Sequence, residues 1–305
     1  AGNGVGAHAE PAAPATVATH LHIVEHARWA EIAKEGGGKG ILAADESDGT
    51  LKTRFDLMGI PFTKDNIHAF RRILFTTPGL ERLISGIIIF EGTLNEQREL
   101  LEEALVKRGI HIFLKSDEGL SPVNKADKDN PETLSNINFS DVKQREAFAA
   151  KLSKAASYFV VMPDGTRRQL ISGTKFRTTP VIKNAGGVWY PTPAAILDSA
   201  RTQAWQAKIA VESGLVPIVE PEILFNEDVS IETVYKTTDD VLKATYHELK
   251  ALGVDVSRTI VKPNMIVTGY KSRNRASHKE AAERTLRVLL KRVPLRVASI
   301  NFLSG

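Results

Sequence analysis

Apolar and polar positions follow two alternating patterns along the chain after about residue 40. Short, nearly continuous apolar segments rich in β-branched residues are typical of strands buried in a parallel sheet. Longer segments with an apolar residue every three or four positions predict helices that cover such a sheet. The predicted strands lie within 41–47, 85–92, 110–117, 173–178, 215–222, 259–265 and 298–305. The predicted helices lie within 65–75, 96–109, 193–214, 239–253 and 278–293.

This order of strands and helices predicts an α/β protein with the (β/α)₈ barrel architecture, the TIM barrel. The units share no sequence with one another, so a repeat protein is a poor alternative. A doubly wound sheet is the second alternative, although no Gly-x-Gly-x-x-Gly follows any predicted strand. The seventh predicted strand ends at Gly305, so we expect the eighth strand to be missing from this sequence.

The chain divides into a short tail and one barrel domain. Residues 1–19 contain mainly Ala, Gly and Pro and predict a flexible tail. Residues 20–305 are expected to form the barrel domain, incomplete at its C-terminus, beginning with an amphipathic helix that starts at His20. Segment 118–172 is interpreted as an elaborated connection with its own helix and a hairpin turn at Asp164–Gly165.

Composition excludes several classes of protein. The 305 residues are 42% hydrophobic and 25% charged, which excludes a disordered chain, and no apolar run reaches the roughly 18 residues of a membrane span. We also expect no signal peptide. Cysteine is absent, which excludes disulfides and thiol nucleophiles and agrees with a cytoplasmic location, while an organelle stays open. The net charge of +4 is too small to indicate nucleic acid but suits phosphorylated ligands.

Charged residues end nearly every predicted strand. A single charge there marks the point where a strand meets water, but charges at six of seven strands indicate a shared site. Residues two apart on a strand share a face, and barrel active sites lie at the carboxyl ends of the strands. The charged residues are Asp45, Glu91, Lys115, Asp117, Lys175, Arg177, Glu220, Glu222 and Lys262.

No metal site is predicted. The eight histidines are scattered, and none of them ends a predicted barrel strand. His20, His22 and His26 form the one cluster, but they lie in the amphipathic segment before the first strand, where a solvated helix start is the better interpretation.

Lysines among carboxylates indicate covalent catalysis by an amine instead. A neutral lysine attacks a ketone, and the protonated imine then accepts electrons from the adjacent C–C bond. Burial and neighbouring cations lower the pKa of such an amine. Lys262 with Lys175 nearby has the required arrangement, and Glu220 and Asp45 are candidates for proton transfer.

These strand ends resemble the class I fructose-1,6-bisphosphate aldolases, the metal-independent family that forms a Schiff base on a lysine. The resemblance spans nearly the whole chain after about Lys34 and keeps the family's order of motifs. Lys-Pro-Asn-Met at 262–265 and Val-Pro-Ile-Val-Glu-Pro-Glu at 216–222 are the most specific pair. The other matching segments are 38–55, 84–94, 113–120, 173–177 and 302–305.

The resemblance implies a role for each catalytic position. Lys262 looks like the Schiff-base lysine and Glu220 like the proton-transferring glutamate. Glu222 resembles the carboxylate that orients the lysines. Lys175 resembles the lysine that keeps the nucleophile neutral and contacts substrate hydroxyls. Asp45 resembles the aspartate that helps to cleave the C3–C4 bond.

The resemblance also implies substrate-binding positions. Lys115 looks like a substrate-binding lysine. The C6 phosphate would be bound around Ser47, Thr50, Arg54 and Arg177. Ser304 and Gly305 would begin the loop that holds the C1 phosphate, in agreement with the phosphate sites that barrels build after their last strands.

Three departures from the animal enzymes leave the sugar preference open. Glu118 stands where those enzymes have lysine, Phe176 where they have tryptophan, and Glu91-Gly92 where they have a His/Asp–Glu pair. Fructose 1,6-bisphosphate, sedoheptulose bisphosphate and fructose 1-phosphate all stay open as substrates.

The resemblance implies a homotetrameric, cytoplasmic enzyme of glycolysis and gluconeogenesis that acts on phosphorylated sugars without a cofactor. Neither nucleic acid nor a membrane is an expected partner. Two alternatives stay open at this point. One is a non-catalytic scaffold of the same fold, and the other is a Schiff-base enzyme with a different substrate, such as a transaldolase-like protein.

Overall fold

The structure is a computed structural model that describes most of the chain after residue 38. The described residues are 39–116, 120–122, 133–157, 159–161, 167–169, 171–173, 179–180, 182–183, 189–225 and 227–302. The expected tail at 1–19, the helix predicted from His20 and the histidines at 20, 22 and 26 lie outside the described residues.

The two main sheets in the described part of the chain are built from seven parallel strands that follow one another in sequence order. The first four pair as one sheet in the order β1–β2–β3–β4, and the next three pair as a second sheet in the order β5–β6–β7. Strand β4 lies against β5, which joins the two sheets. The strands are β1 Gly40–Ala44, β2 Ile84–Ile89, β3 His111–Lys115, β4 Ile171–Gly173, β5 Ile218–Val219, β6 Ile260–Val261 and β7 Ser299–Ile300.

One buried core fills the space between the two sheets. Ile88 and Phe113 from the first sheet pack with Ile218 and Ile260 from the second. Gly86 makes room for the Phe113 ring, because a Cβ there would lie 2.4 Å from an edge carbon of that ring. Parallel strands in sequence order, with helices between them and one shared interior, are the arrangement of a barrel. The predicted α/β fold with (β/α)₈ barrel architecture is therefore confirmed.

Nine α-helices in the described residues lie in the connections between these strands. Hydroxyl side chains cap several of them, as Ser47 and Ser230 do by accepting hydrogen bonds from the backbone N–H groups of Thr50 and Thr233. The helices are α1 Asp48–Leu57, α2 Lys64–Thr76, α3 Leu80–Leu83, α4 Glu91–Glu96, α5 Arg98–Ala104, α6 Val142–Ser157, α7 Pro193–Glu212, α8 Ile231–Ala251 and α9 His278–Arg292.

The outward faces of the strands pack against this helical layer. Ile87 and Ile89 of β2 and Ile112 and Leu114 of β3 join a buried cluster that includes Phe75 of α2. Two short 3₁₀ helices, Val106–Arg108 and Val256–Arg258, precede β3 and β6. None of the described helices combines the length and apolar character that a membrane span requires.

Further short strands lie in the connections between the barrel strands and the helices. Phe159–Val161 pairs antiparallel with Arg167–Gln169, as expected for strands on either side of the predicted hairpin turn, whose own residues lie outside the described part. Thr179–Pro180 pairs parallel with Ile223–Leu224. The remaining pairs are antiparallel and join Leu120–Pro122 to Thr133–Ser135 and Ile182–Lys183 to Trp189–Tyr190.

Several predicted boundaries differ from those in the structure. The strand expected at 173–178 begins two residues earlier, at Ile171, and is described as far as Gly173, since residues 174–178 lie outside the described part. The strand expected at 215–222 is only Ile218–Val219, because the chain turns directly after it. Helix α8 begins at Ile231, eight residues before the predicted start, because the Ser230 cap lies there.

Candidate active site

A lysine and a glutamate meet at the carboxyl ends of two neighbouring strands. Val219 lies opposite Val261 in the parallel pair β5–β6, so the next residues, Glu220 and Lys262, are adjacent. Lys262 Nζ lies 3.3 Å from Glu220 Oε1, and the two side chains are 17% and 3% exposed. Removing two charges from water is costly, and the contact between them offsets part of that cost.

The barrel interior ends in charged residues at four strands. Side chains alternate between the two faces of a strand, so steps of two from an interior residue stay on the inward side. In these four strands, steps of two from an interior residue lead to a charged residue at the carboxyl end. These residues are Asp45 after β1, Lys115 in β3, Glu220 after β5 and Lys262 after β6.

Asp45 is buried and lies beside a buried arginine that the sequence did not single out. Arg71 of α2 donates from Nη1 to the Ala44 carbonyl at 2.5 Å and lies within 3.5 Å of the Glu46 carbonyl. Burial lowers the pKa of Arg71 from its ordinary value, and the carboxylates of Glu46, Asp45 and Asp48 oppose this change. The guanidinium thus fixes the backbone on both sides of Asp45.

Glu222 does not follow the extended geometry that was predicted for it. Strand β5 ends at Val219, and the Glu222 N–H donates to the Glu220 carbonyl at 2.7 Å across Pro221. Such a bond closes a tight three-residue turn. The two glutamates are therefore placed by a turn and not by alternation along a strand, and Glu222 is more exposed than Glu220.

Three of the predicted phosphate-binding residues lie on or next to helix α1. The Ser47 hydroxyl caps the helix and lies 3.1 Å from the Thr50 hydroxyl. Arg54 lies one turn beyond Thr50 and donates from Nη1 to Glu46 Oε1 at 2.5 Å. A helix N-terminus and an arginine are groups that bind anions, but Arg54 already has a carboxylate partner.

Five other predicted site residues fall outside the described part of the chain. They are Asp117, Lys175, Arg177, Ser304 and Gly305. Lys115 is described and half-buried, as the last residue of β3 opposite Gly173 of β4. Glu91 begins helix α4 instead of ending a strand.

Asn264 is a second residue that the sequence did not single out. It lies two positions after Lys262 and is 3% exposed. Its Oδ1 accepts a hydrogen bond from the Ile223 N–H at 3.2 Å, and its Nδ2 donates to the Thr238 hydroxyl at 3.2 Å. Its position inside the Lys-Pro-Asn-Met motif was the signal that could have identified it.

The described residues contain no group of three or more His, Asp or Glu side chains that could hold a metal ion. The predicted charged residues described at the strand ends are the Lys262–Glu220 pair, a second lysine, a second glutamate and an aspartate. This donor set suits amine and proton-transfer chemistry.

Comparison with known proteins identifies the family. The sequence profile described as Fructose-bisphosphate aldolase class-I matches residues 27–151 and 167–305. Fructose-bisphosphate aldolase 2 of Caenorhabditis elegans is 33% identical over 271 residues, which are 88% of this chain and 67% of that protein. The chloroplastic fructose-bisphosphate aldolase 2 of Arabidopsis thaliana is 32% identical over 88% of this chain and 62% of that protein.

A solved structure agrees in fold. The fructose-bisphosphate aldolase of Plasmodium falciparum, crystallised with TRAP and a small-molecule inhibitor, superposes with a TM-score of 0.75 at 30% identity. The match covers 96% of this chain and 77% of the other. The present chain thus spans about two thirds of the length of its curated relatives.

Fold and site together define an α/β barrel with a buried lysine–glutamate pair at the carboxyl ends of adjacent strands. The chain belongs to the class I fructose-bisphosphate aldolase family, a family of lyases, and the resemblance stated from the sequence is confirmed.

Proposed function

We propose that this protein is a class I aldolase that reversibly cleaves fructose 1,6-bisphosphate to dihydroxyacetone phosphate and glyceraldehyde 3-phosphate. The observation that carries the proposal is the 3.3 Å contact between Lys262 Nζ and Glu220 Oε1 at the ends of two adjacent strands. The proposed nucleophile is Lys262, which forms the Schiff base. No metal or other cofactor takes part, because the protonated imine is the electrophile.

In the first half of the reaction, the neutral Lys262 amine adds to the C2 carbonyl of the ketose. Glu220 accepts the ammonium proton beforehand and later donates a proton to the departing hydroxyl, so that water leaves and a protonated imine remains. Its position within hydrogen-bond reach of Nζ suits both transfers.

In the second half, Asp45 takes the proton from the C4 hydroxyl. The electron pair of the C3–C4 bond forms a C2=C3 double bond while the π pair of C2=N⁺ moves onto nitrogen, and C4 leaves as the aldehyde of glyceraldehyde 3-phosphate. The resulting enamine takes a proton at C3, and water hydrolyses the imine to dihydroxyacetone phosphate and the free lysine. Asp45 suits this role because it is buried on the inward side of β1 and its flanking backbone is held by Arg71.

Substrate binding divides among the remaining residues. Lys115 and Lys175 are proposed to contact the sugar, and Glu222 to orient the lysines. The C6 phosphate is proposed to bind at Ser47, Thr50, Arg54 and Arg177, and the C1 phosphate at Ser304 and Gly305. The hydroxyls at the N-terminus of α1 support the first phosphate site.

The remaining proposals concern domain organisation, assembly, metabolic role and location. We propose a barrel domain from residue 20 onward preceded by a flexible tail, assembly as a homotetramer, and action in glycolysis and gluconeogenesis. A cytoplasmic location is proposed, and an organelle is the alternative because one relative is described as chloroplastic.

Borohydride trapping tests the proposal. The protein is incubated with dihydroxyacetone phosphate, and borohydride is added to reduce any imine. The protein is then digested, and the peptide masses are measured by mass spectrometry. We expect a stable adduct on Lys262 and none in Lys262→Met. The matched control is Lys243→Met, which changes an exposed lysine of α8 and should keep the adduct. An adduct-free wild-type protein would favour a non-catalytic scaffold instead.

A further inference from the structure

The side chain of Asn264 joins three elements next to the lysine–glutamate pair. It follows strand β6, accepts from the Ile223 N–H of the Ile223–Leu224 strand, and donates to Thr238 of helix α8, each at 3.2 Å. Its Nδ2 also donates to the Met265 carbonyl at 3.1 Å. Because a carbonyl only accepts and a backbone N–H only donates, these partners fix which way the amide faces.

These bonds enclose the segment that carries Glu220. At one end of the segment, the Lys262 N–H donates to the Val219 carbonyl at 2.7 Å. At the other end, Asn264 Oδ1 holds the Ile223 N–H. The turn that bears Glu220 is therefore bonded on both sides to the stretch of chain that bears Lys262.

Thr238 completes the arrangement from the helical layer. Its side chain is fully buried, and its hydroxyl accepts from Asn264 Nδ2. A buried polar network whose members are all bonded holds one geometry, whereas the loss of one member leaves another group unpaired at a cost. Helix α8 thereby fixes the position of the Asn264 amide, which holds one end of the turn that bears Glu220.

We propose that Asn264 is a positioning residue that sets the distance between the Lys262 amine and the Glu220 carboxylate, and that Thr238 holds its amide in place. The proposal rests on the proposed function, because it assigns Asn264 to the proton transfer between those two groups. Neither Asn264 nor Thr238 contacts the reacting atoms. They act by keeping two other side chains within hydrogen-bond reach.

The first test is steady-state kinetics on Asn264→Ala and Thr238→Val with fructose 1,6-bisphosphate. A small displacement of a catalytic group lowers the rate of the reaction but leaves the contacts with the substrate in place. We expect kcat to fall about a hundredfold in Asn264→Ala, which loses both bridges, and about tenfold in Thr238→Val, which loses one. KM should change by less than about threefold in both, because the phosphate sites are untouched.

Two companion variants separate positioning from general loss of packing. Thr238→Ser keeps the hydroxyl and should restore kcat to within about twofold of wild type. Thr245→Val changes another fully buried threonine of α8, two turns away, whose hydroxyl has no hydrogen-bond partner among the described residues. It should leave kcat unchanged. If Asn264→Ala does not fold, the Thr238 series decides alone.

The outcomes distinguish this inference from the proposed function. If wild type traps dihydroxyacetone phosphate on Lys262 but both variants keep wild-type kcat, Asn264 has no positioning role. If wild type itself forms no adduct, the proposed function fails, and the role in proton transfer fails with it. Amide hydrogen exchange at Ile223 then still tests whether Thr238 holds the Asn264 amide in place. If exchange is no faster in Thr238→Val than in Thr245→Val, this structural role is wrong as well.

Discussion

Glu220 and Lys262 are 42 residues apart in sequence, yet Oε1 and Nζ lie 3.3 Å apart. The register of β5 and β6 produces this contact, because Ile218 lies opposite Ile260 and Val219 opposite Val261. Each charged residue is the next one along its strand, so a shift of either strand by one position would turn one side chain away from the barrel interior.

Replacement of Lys262 tests the nucleophile. Lys262→Met keeps the approximate length of the side chain but cannot form an imine. We expect cleavage of fructose 1,6-bisphosphate to fall by at least about 10³-fold while binding measured by calorimetry changes little. Lys243→Met serves as the control and should keep wild-type turnover. Near-normal turnover by Lys262→Met would show that another residue is the nucleophile.

Replacement of Lys175 tests the proposed neighbouring cation. A positive charge beside an amine favours its neutral form, so Lys175→Met should favour the protonated, unreactive form of the nucleophile. The rising limb of the pH–rate profile should therefore move to higher pH. Measuring kcat across pH in wild type and variant checks this. An unchanged profile would mean that Lys175 does not act on the nucleophile.

Chelation tests the proposed lack of a metal. If the protonated imine is the electrophile, activity should be unaffected by EDTA. The measurement is turnover after dialysis against EDTA and again after addition of zinc. Loss of activity that zinc restores would contradict a Schiff-base mechanism without metal.

Replacement of Glu46 tests the proposed phosphate site on α1. Glu46 Oε1 accepts from Arg54 Nη1 at 2.5 Å and would compete with a substrate phosphate for that guanidinium. Glu46→Gln should weaken the competition and lower KM for fructose 1,6-bisphosphate by about threefold. Asp56→Asn removes a carboxylate paired with Lys52 on the same helix and should leave KM unchanged. A raised KM in Glu46→Gln would argue that Glu46 orients Arg54 instead.

Asp239 gives a pH dependence of stability that is independent of catalysis. It pairs with Arg292 through two bonds of 2.6 and 2.7 Å and with Lys291 at 3.0 Å, which joins α8 to α9. Hydrogen bonds from Arg292 lower the pKa of Asp239, with a further contribution from Lys291 and an opposing one from burial.

Because the folded-state pKa is the lower one, this stabilisation is present above the unfolded value of about 3.9 and is lost as pH falls through the folded value. Asp239→Asn should lower the free energy of unfolding by about 2 kcal/mol at pH 7. The difference between variant and wild type should shrink below about pH 4. Urea unfolding of both proteins between pH 3 and pH 7 measures it, and a difference that does not vary with pH would contradict the assignment.

The helices and strands were predicted well where the pattern was long and regular. Helices α7 and α9 lie almost where their periodicity placed them, because an amphipathic pattern is a local property of the chain. The short strands β5 and β6 were predicted too long. Their ends depend on where Pro221 and Pro263 interrupt pairing with neighbours, which the apolar pattern does not record.

By itself, the sequence determined the α/β barrel, because burial in a parallel sheet requires continuous apolar segments. It also determined the lysine and carboxylates at the strand ends, because charged residues are easily recognised where apolar segments end. Only the tertiary structure decided that Arg71 borders Asp45 and that Asn264 joins Ile223 to Thr238. Those contacts depend on strand register and on how helices α2 and α8 dock. Both are set by packing between residues that are 26 or more positions apart, beyond the range of any local pattern.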